Sequence, residues 1–324
     1  MPDPGYIRAC YEENLRFIAT EFFRARMVGA ENLPLAEVGK RPIILVANHS
    51  GMGLSWDNII LDFLVYDRLL QASGDADWAI ANKVVRLVDP LLISRQTVQP
   101  FGIADWFAKT GCVAASSANF EAAMRENRIV LVSPEGVAGI AKGPWRKYRL
   151  QPFSSSFLRM AHAFGALVVP VSVVNAEYLN PWNICLGWVN AVGRRLGFPF
   201  SPLGFAAFQA LLPATYLTPR PARLTYVVHP AETFDAPSDP KAEAEAFRRR
   251  QQVRLDEAVC QYHAPYDLRS LFDGFRTSKR RKLYSPFFWH EMFLKTASKP
   301  AWMGLLYKIP LGYGLIALAN RWVR

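Results

Sequence analysis

Short apolar runs and segments with helical periodicity alternate along most of this chain. Five apolar runs predict strands near residues 42–47, 77–82, 129–133, 167–174 and 223–228. Helices are predicted near 58–70, 117–126 and 154–165, and a charged helix is predicted near 241–262. Strands that alternate with helices favour an α/β fold with a mixed, partly parallel sheet flanked by helices. In such a fold, reactive loops gather where the strands end.

A further helical pattern covers residues 6–27, with apolar side chains on one face and charged residues between them. That face holds Ile7, Tyr11, Leu15, Ile18 and Phe22. An amphipathic helix of this kind either covers the core of a domain or lies along a membrane, and the pattern leaves both open. We assign residues 1–270, this helix included, to one domain.

The last segment, residues 271–324, differs in character from the rest. Aromatic residues such as Phe287, Trp289 and Trp302 are interspersed there with Lys and Arg at short intervals. This mixture of side chains is typical of a segment anchored at a membrane interface. A tail that packs on the protein's own core, or on another subunit, is the alternative.

Composition narrows the class of partner. The 324 residues carry a formal charge of +11 with a pI near 9.6, and 51% of them are hydrophobic. A basic chain attracts anionic partners, and each Lys or Arg near an anionic bilayer contributes about 1 kcal/mol to binding. No nucleic-acid-binding motif accompanies the charge, so we expect anionic membrane lipids and not nucleic acid as the partner.

The sequence predicts no transmembrane helix. The longest uncharged stretch, 196–219, is interrupted by four prolines, which favours an interfacial or re-entrant segment. Residues 1–5 lack the charged start and apolar core of a signal peptide. The four cysteines are scattered, without the paired spacing of a zinc site or a disulfide framework. We therefore expect a peripheral or monotopic protein on the cytoplasmic face of the cell membrane, with no bound metal.

The candidate chemistry begins where the strand near 42–47 ends in Asn48 and His49. A loop with two glycines then leads to Asp57 at the start of the next helix. A neutral imidazole accepts a proton from a hydroxyl, and a carboxylate beside it orients the ring and stabilises the imidazolium. The pair therefore predicts a catalytic base. Taken alone, the same residues also suit a turn followed by a helix N-cap.

Two further motifs follow in order. Pro134-Glu135-Gly136 comes after the strand near 129–133, and Pro170 lies inside the strand near 167–174. Together with Asn48-His49, this ordered series resembles the phospholipid/glycerol acyltransferase family. The segment 111–116 is similar to the second block of that family, and the likeness covers about residues 6–262.

The resemblance implies an O-acyltransferase. Such an enzyme moves a fatty acyl chain from acyl-CoA or acyl carrier protein, its co-substrate, to a hydroxyl of a lysophospholipid, first of all 1-acylglycerol-3-phosphate. It needs no further cofactor. By this likeness His49 is the general base and Asp57 orients it, while Glu135, Gly136 and Ser116 belong to the acceptor site. The chain has no Gly-x-Ser-x-Gly motif, which disfavours an α/β-hydrolase.

Two departures from the family pattern bear on the catalytic pair and on the acceptor. Seven residues separate His49 from Asp57 where the family has four, so the longer loop has to fold back. Ser117 and Val137 stand where the family has arginines that hold the acceptor's phosphate. The alternatives are therefore a different acceptor, such as a lyso-ornithine lipid or a neutral glycerolipid, and a catalytically inactive membrane-binding relative.

A basic loop offers a partial replacement for these arginines. Residues 142–149 interleave four cationic side chains with a tryptophan and a tyrosine, a composition that suits an anionic head group at a membrane surface. Within this loop, Lys142 and Arg146 are the candidates for contact with the acceptor. A solvated basic loop without a ligand is the alternative.

Overall fold

The computed structural model describes residues 2–93, 103–180, 183–195, 199–204, 218–235 and 239–266, together with 288–289, 302–306, 308–310, 312, 315 and 318. Its strands are β1 (Arg26–Val28), β2 (Ile43–Ala47), β3 (Val85–Val88), β4 (Val113–Ala114), β5 (Ile129–Val132), β6 (Leu167–Val174), β7 (Asn183–Cys185), β8 (Pro202–Gly204) and β9 (Thr225–Val228). Its helices are α1 (Pro4–Ala9), α2 (Trp56–Ser73), α3 (Ala76–Ala81), α4 (Pro90–Ile93), α5 (Ile103–Lys109), α6 (Ser117–Arg125), α7 (Val137–Ile140), α8 (Ser156–Phe164), α9 (Gly187–Arg195), α10 (Pro240–Tyr262) and α11 (Met303–Leu306). Two π-helical segments, Cys10–Leu15 and Ile18–Phe22, continue α1, and 3-10 turns lie at Ala30–Asn32, Leu35–Glu37, Pro144–Arg146 and Ala176–Tyr178.

Seven of the described strands form one mixed sheet in the order β1-β9-β6-β2-β5-β3-β4. The pair β6 and β9 is antiparallel, and the other neighbouring pairs are parallel. The predicted α/β fold with a partly parallel sheet is therefore confirmed. In the register of the three central strands, Val46 lies opposite Val132 and Ala47 opposite Val171. The loops that follow β2 and β5 consequently leave the sheet at the same edge, next to the last residues of β6.

Helices cover both faces of the sheet, and the central strands show why. Every residue of β2 and β5 is buried, the pattern of parallel strands that are covered on both sides. Along β2, Ile43, Leu45 and Ala47 pack on the side of α2, whereas Ile44 and Val46 pack on the opposite side with residues of α6, α8 and α10. The alternation follows from the two-residue period of a strand.

The predicted strand near 77–82 is wrong, because that segment is the helix α3. Asp75 caps the helix: its carboxylate accepts hydrogen bonds from the backbone N–H groups of Asp77 and Trp78 at 2.9 Å and 3.1 Å. A cap of this kind satisfies amides that a strand would pair with a neighbour. The strand in this part of the sheet is β3, which starts after α3 ends.

The amphipathic N-terminal helix covers the core. The five apolar residues of its predicted face are buried, each with at most 2% of its surface exposed. The aromatic residue Trp289 packs on the same region, with its ring 4.7 Å from Trp56 and 4.9 Å from Phe22. Of the two alternatives for residues 6–27, packing against the core is the one observed.

Most of the predicted interfacial tail, residues 271–324, lies outside the described residues, as does most of the uncharged stretch 196–219. Trp289, one of the described residues of the tail, is buried and contacts the core of the protein. Among the helices of the described ranges, none is both long and apolar enough to cross a bilayer.

The burial of His229 beside the sheet makes the stability of the fold depend on pH. His229 follows β9, and its Nε2 lies 2.9 Å from Ser172 Oγ on β6. Burial, with a smaller contribution from the positive charge of Arg254 and against the opposing charge of Glu232, lowers the pKa of His229 from 6.5 to about 4. The unfolded chain therefore binds more protons than the folded protein between these two values.

We expect the free energy of unfolding to fall as the pH is lowered from about 6.5 towards about 4, and to do so less steeply in His229→Gln. Chemical denaturation of the wild type and of the variant across this pH range measures the free energy of unfolding of each. The difference between the two curves isolates His229, because all other titrating groups are common to both proteins. Parallel curves for the two proteins would show that His229 titrates alike in the folded and unfolded chains.

Candidate active site

His49 and Asp57 meet at the edge of the sheet where β2 ends. The Nδ1 of His49 lies 2.7 Å from Asp57 Oδ2, although seven residues separate the two along the chain. Asp57 is fully buried and His49 is 8% exposed. The longer loop thus folds back far enough for a direct hydrogen bond.

Distant residues hold this loop in its folded-back path. Gly51 adopts a φ of +109°, a backbone conformation that favours glycine, and its carbonyl accepts a 2.8 Å hydrogen bond from Asn180 Nδ2. A Cβ atom at Gly53 would lie 2.7 Å from the same Asn180 nitrogen. At the start of the loop, the Asn48 amide both accepts from the backbone N–H of Val173 and donates to its carbonyl, at 2.7 Å and 3.0 Å.

The carboxylate of Asp57 has partners for both oxygens. Oδ2 also accepts from the backbone N–H of Ser50 at 3.0 Å, and Oδ1 accepts from that of Asn58 at 2.9 Å. Because a carboxylate only accepts, the contact with His49 assigns the imidazole proton to Nδ1. The other nitrogen, Nε2, is left as an acceptor. It lies 3.5 Å from Ser55 Oγ and faces a cleft.

Glu135 lies behind the histidine and connects two loops. Its Oε1 accepts from the backbone N–H of His49 at 3.0 Å, and its Oε2 accepts from that of Gln151 at 2.6 Å. Gly139 makes room for it, since a Cβ there would lie 2.7 Å from Glu135 Cβ. Glu135 is 5% exposed and does not belong to the lining of the cleft. In the structure it therefore positions His49, and the predicted contact with the acceptor stays a prediction.

The cleft has a volume of about 530 Å³ and is mainly apolar. Its apolar walls include Leu54, Phe107, Phe120, Ile140, Phe157 and Phe200. Hydroxyl groups come from Ser55, Ser116, Ser117, Ser133, Ser154 and Ser156. Gly136 lines the cleft as well, with no atom within 4 Å of the position of a Cβ. The cleft thus combines a histidine nitrogen that can accept a proton, several serine hydroxyls and apolar walls. This combination suits an acyl chain that carries a polar end.

Cations contribute little to this lining. Among the described residues that line the cleft, the permanently charged cation is Arg86, which is 3% exposed. Its Nε lies 3.0 Å from Asp62 Oδ2, one of its terminal nitrogens donates to Thr110 Oγ1 at 3.1 Å, and the guanidinium stacks over Trp106. The positive charge of this guanidinium is therefore already balanced by Asp62.

The structure does not bring Lys142 and Arg146 to the cleft. The Nζ of Lys142 is buried 2.9 Å from Glu177 Oε1, in an ion pair behind the loop. Burial raises the pKa of the Glu177 carboxyl against the opposing effect of this ammonium. Arg146 is exposed in a 3-10 turn and does not line the cleft. Lys142, the expected partial replacement for the missing arginines, is thus buried in an ion pair and does not line the cleft.

Asn58 and Ser133 are two cleft residues that the sequence-based predictions do not include. The Nδ2 of Asn58 donates to Ser133 Oγ at 3.1 Å, and both residues line the cleft beside His49. Their positions in the sequence were the signal that could have identified them, because Asn58 follows Asp57 directly and Ser133 precedes Pro134-Glu135-Gly136.

Among the described residues, no cluster of His, Cys, Asp and Glu has the arrangement of a metal site.

Comparison with known families agrees with this geometry. Residues 24–174 match the family model described as Acyltransferase, a range that contains His49, Asp57 and Glu135. Residues 24–174 are an acyltransferase domain. The predicted resemblance of this region to acyltransferases is thereby confirmed.

The chain also matches proteins whose names give no function. The chain is 28% identical over 210 residues to an uncharacterised protein of Mycobacterium leprae, a match that covers 62% of the chain and 49% of that protein. It is 27% identical over 202 residues to an uncharacterised protein of Mycobacterium tuberculosis, covering 62% and 50%. The chain thus spans about half the length of these relatives.

Among solved structures, the chain is similar to the 1-acyl-sn-glycerophosphate (LPA) acyltransferase of Thermotoga maritima. The identity is 17% with a TM-score of 0.43, and the alignment covers 79% of this chain and 84% of that protein. A score of this size describes a loose overall likeness.

The two hydrogen bonds to Glu135 lead to a prediction of stability. In Glu135→Gln one carboxylate oxygen becomes an NH₂ group, so one buried backbone N–H loses its acceptor. We expect the free energy of unfolding to fall by about 1–3 kcal/mol. Chemical denaturation measures the change. The matched control is Glu121→Gln, whose ion pair with Arg125 is exposed and contributes less than about 1 kcal/mol. Equal stability of the two variants would contradict a positioning role for Glu135.

Proposed function

We propose that the acyltransferase domain transfers an acyl chain from an acyl thioester, acyl-CoA or acyl carrier protein, to a hydroxyl of a lysophospholipid or related glycerolipid. The observation that carries the proposal is the 2.7 Å contact between His49 Nδ1 and Asp57, which leaves Nε2 as an acceptor in the cleft. A base in this position needs a substrate O–H, and the apolar walls suit a lipid that supplies one.

In the proposed reaction, the acceptor hydroxyl gives its proton to His49 Nε2 while its oxygen attacks the thioester carbonyl. The C–S bond then breaks, and the thiolate takes the proton from the imidazolium. Asp57 holds the ring by Nδ1 and stabilises its transient positive charge. A thioester is already activated, so the chemistry needs neither a covalent acyl-enzyme nor a metal to polarise the carbonyl.

The lining of the cleft bears on the choice of acceptor. In 1-acylglycerol-3-phosphate the phosphate needs cationic partners, and the described lining supplies only Arg86, whose charge Asp62 already balances. The six serines of the lining supply neutral hydroxyls, which hydrogen-bond to a glycerol hydroxyl but do not balance the charge of a phosphate. The residues of the cleft therefore favour a neutral glycerolipid over lysophosphatidate, the acceptor that the resemblance to the family puts first.

The role of His49 is tested by substitution. We expect His49→Asn to lower the rate of acyl transfer by roughly a hundred- to ten-thousand-fold, because the general base is lost. Transfer of a labelled acyl chain from thioester to a panel of lyso-lipids measures the rate. His162→Asn is the matched control, since His162 is exposed on α8, and it should retain the wild-type rate. The same product yield from wild type and His49→Asn on every acceptor would contradict the proposal.

The acceptor class is tested with two acceptors of equal chain length, a monoacylglycerol and lysophosphatidate, in mixed micelles. We expect kcat/KM to be at least about tenfold higher for the monoacylglycerol, corresponding to ~1.4 kcal/mol. Ser117→Arg places a guanidinium in the lining and should shift this ratio towards lysophosphatidate, whereas Ser117→Gln should not. A preference of the wild type for lysophosphatidate would show that cations other than those described hold the phosphate.

A further inference from the structure

Helix α9 exposes large apolar side chains to solvent. Trp188 is 72% exposed and Val192 is 51% exposed, and the two lie one helical turn apart on the same face. Leu186, just before the helix, is 38% exposed. Single exposed apolar residues are ordinary on protein surfaces, but a cluster in which a tryptophan is exposed indicates a contact site.

The opposite face of α9 packs on a segment that borders the cleft. Asn190 Oδ1 accepts from the backbone N–H of Ser201 at 2.7 Å, and Arg194 donates to the carbonyl of Pro199 at 3.4 Å. At 100° per residue, Asn190 and Arg194 lie across the helix from Trp188 and Val192. Pro199 and Phe200 line the cleft. The apolar face of α9 therefore points away from the protein next to the proposed acceptor site.

The charges around this face are positive. Arg194 and Arg195 end the helix and are exposed, and α9 contains no acidic residue. The loop 142–149 meets the strand just before α9, because a Cβ at Gly143 would be 4.0 Å from the carbonyl oxygen of Asn183 in β7. Trp145 in this loop is 84% exposed. Arg146 and Lys147 follow Trp145 directly. Indole rings next to cations match the interface of a bilayer that contains anionic lipids.

We infer that the outward face of α9, formed by Trp188, Val192 and Arg195, docks on the surface of an anionic bilayer. The docked helix places the neighbouring cleft at the membrane, where a lipid acceptor enters it without crossing water. The inference does not depend on which acceptor the cleft takes.

The test is co-sedimentation of the full chain with vesicles of mixed phosphatidylcholine and phosphatidylglycerol, and with vesicles of phosphatidylcholine alone. We expect the wild type to bind the mixed vesicles more tightly, with an affinity that falls as salt is added. The double variant Trp188→Ser/Val192→Ser should bind them about tenfold or more weakly, because two apolar side chains no longer enter the interface.

Two further variants sharpen the result. Val253→Ser removes an apolar side chain that is 58% exposed on α10, and it should bind like the wild type. Arg195→Gln should weaken binding and reduce its dependence on salt. All variants should melt at the wild-type temperature, because the changed side chains are exposed.

Wild-type affinity in the double variant, an equal loss in Val253→Ser, or no wild-type binding to the mixed vesicles would each overturn the inference. The readout is independent of catalysis. A wild type that transfers no acyl chain but shows this pattern of binding would refute the proposed function and leave the docking surface in place.

Discussion

The site depends on one buried carboxylate. Asp57 has no contact with water, and a buried charge is stable only where hydrogen bonds replace the lost hydration. Asp57 receives these hydrogen bonds from His49 Nδ1 and from the backbone N–H groups of Ser50 and Asn58. The need to satisfy this carboxylate therefore closes the loop after β2 and sets the orientation of the imidazole at the same time. Tyr226, on β9, adds a hydrogen bond to the carbonyl of Asp57 from across the sheet.

The sheet brings the other parts of the site to this carboxylate. Because β2, β5 and β6 run parallel in register, their ends lie side by side, and short polar bridges then join them. Asn48 ties the end of β2 to Val173 in β6, while Glu135 ties the loop after β5 to the backbone of His49. Hydrogen bonds to backbone groups make these bridges stiff. A rigid frame of this kind suits a base that has to meet a substrate hydroxyl at a fixed distance.

What was predictable from the sequence was local. The strand β6 was predicted with its observed bounds, and the apolar run that ends in His49 placed that residue at the edge of the sheet. Two features of the structure were not predictable, for different reasons. The sequence predicts Lys142 as a contact of the acceptor, and nothing near it indicates the ion pair, because its partner Glu177 lies 35 positions later. The segment 77–82 predicts a strand, because a short apolar run suits either structure until a cap such as Asp75 is recognised. The return of the loop to Asp57 depends on Asn180 and could not be inferred from spacing.

The central claim is that Asp57 fixes the proton of His49 on Nδ1 and leaves Nε2 as the base. Nitrogen NMR of protein with ¹⁵N-labelled histidine observes this directly, and comparison with His49→Asn assigns the signal among the five histidines. We predict that neutral His49 is protonated at Nδ1, and that Asp57→Asn weakens this preference. A wild-type His49 protonated at Nε2 would contradict the account, because the nitrogen in the cleft would then be unable to accept a proton.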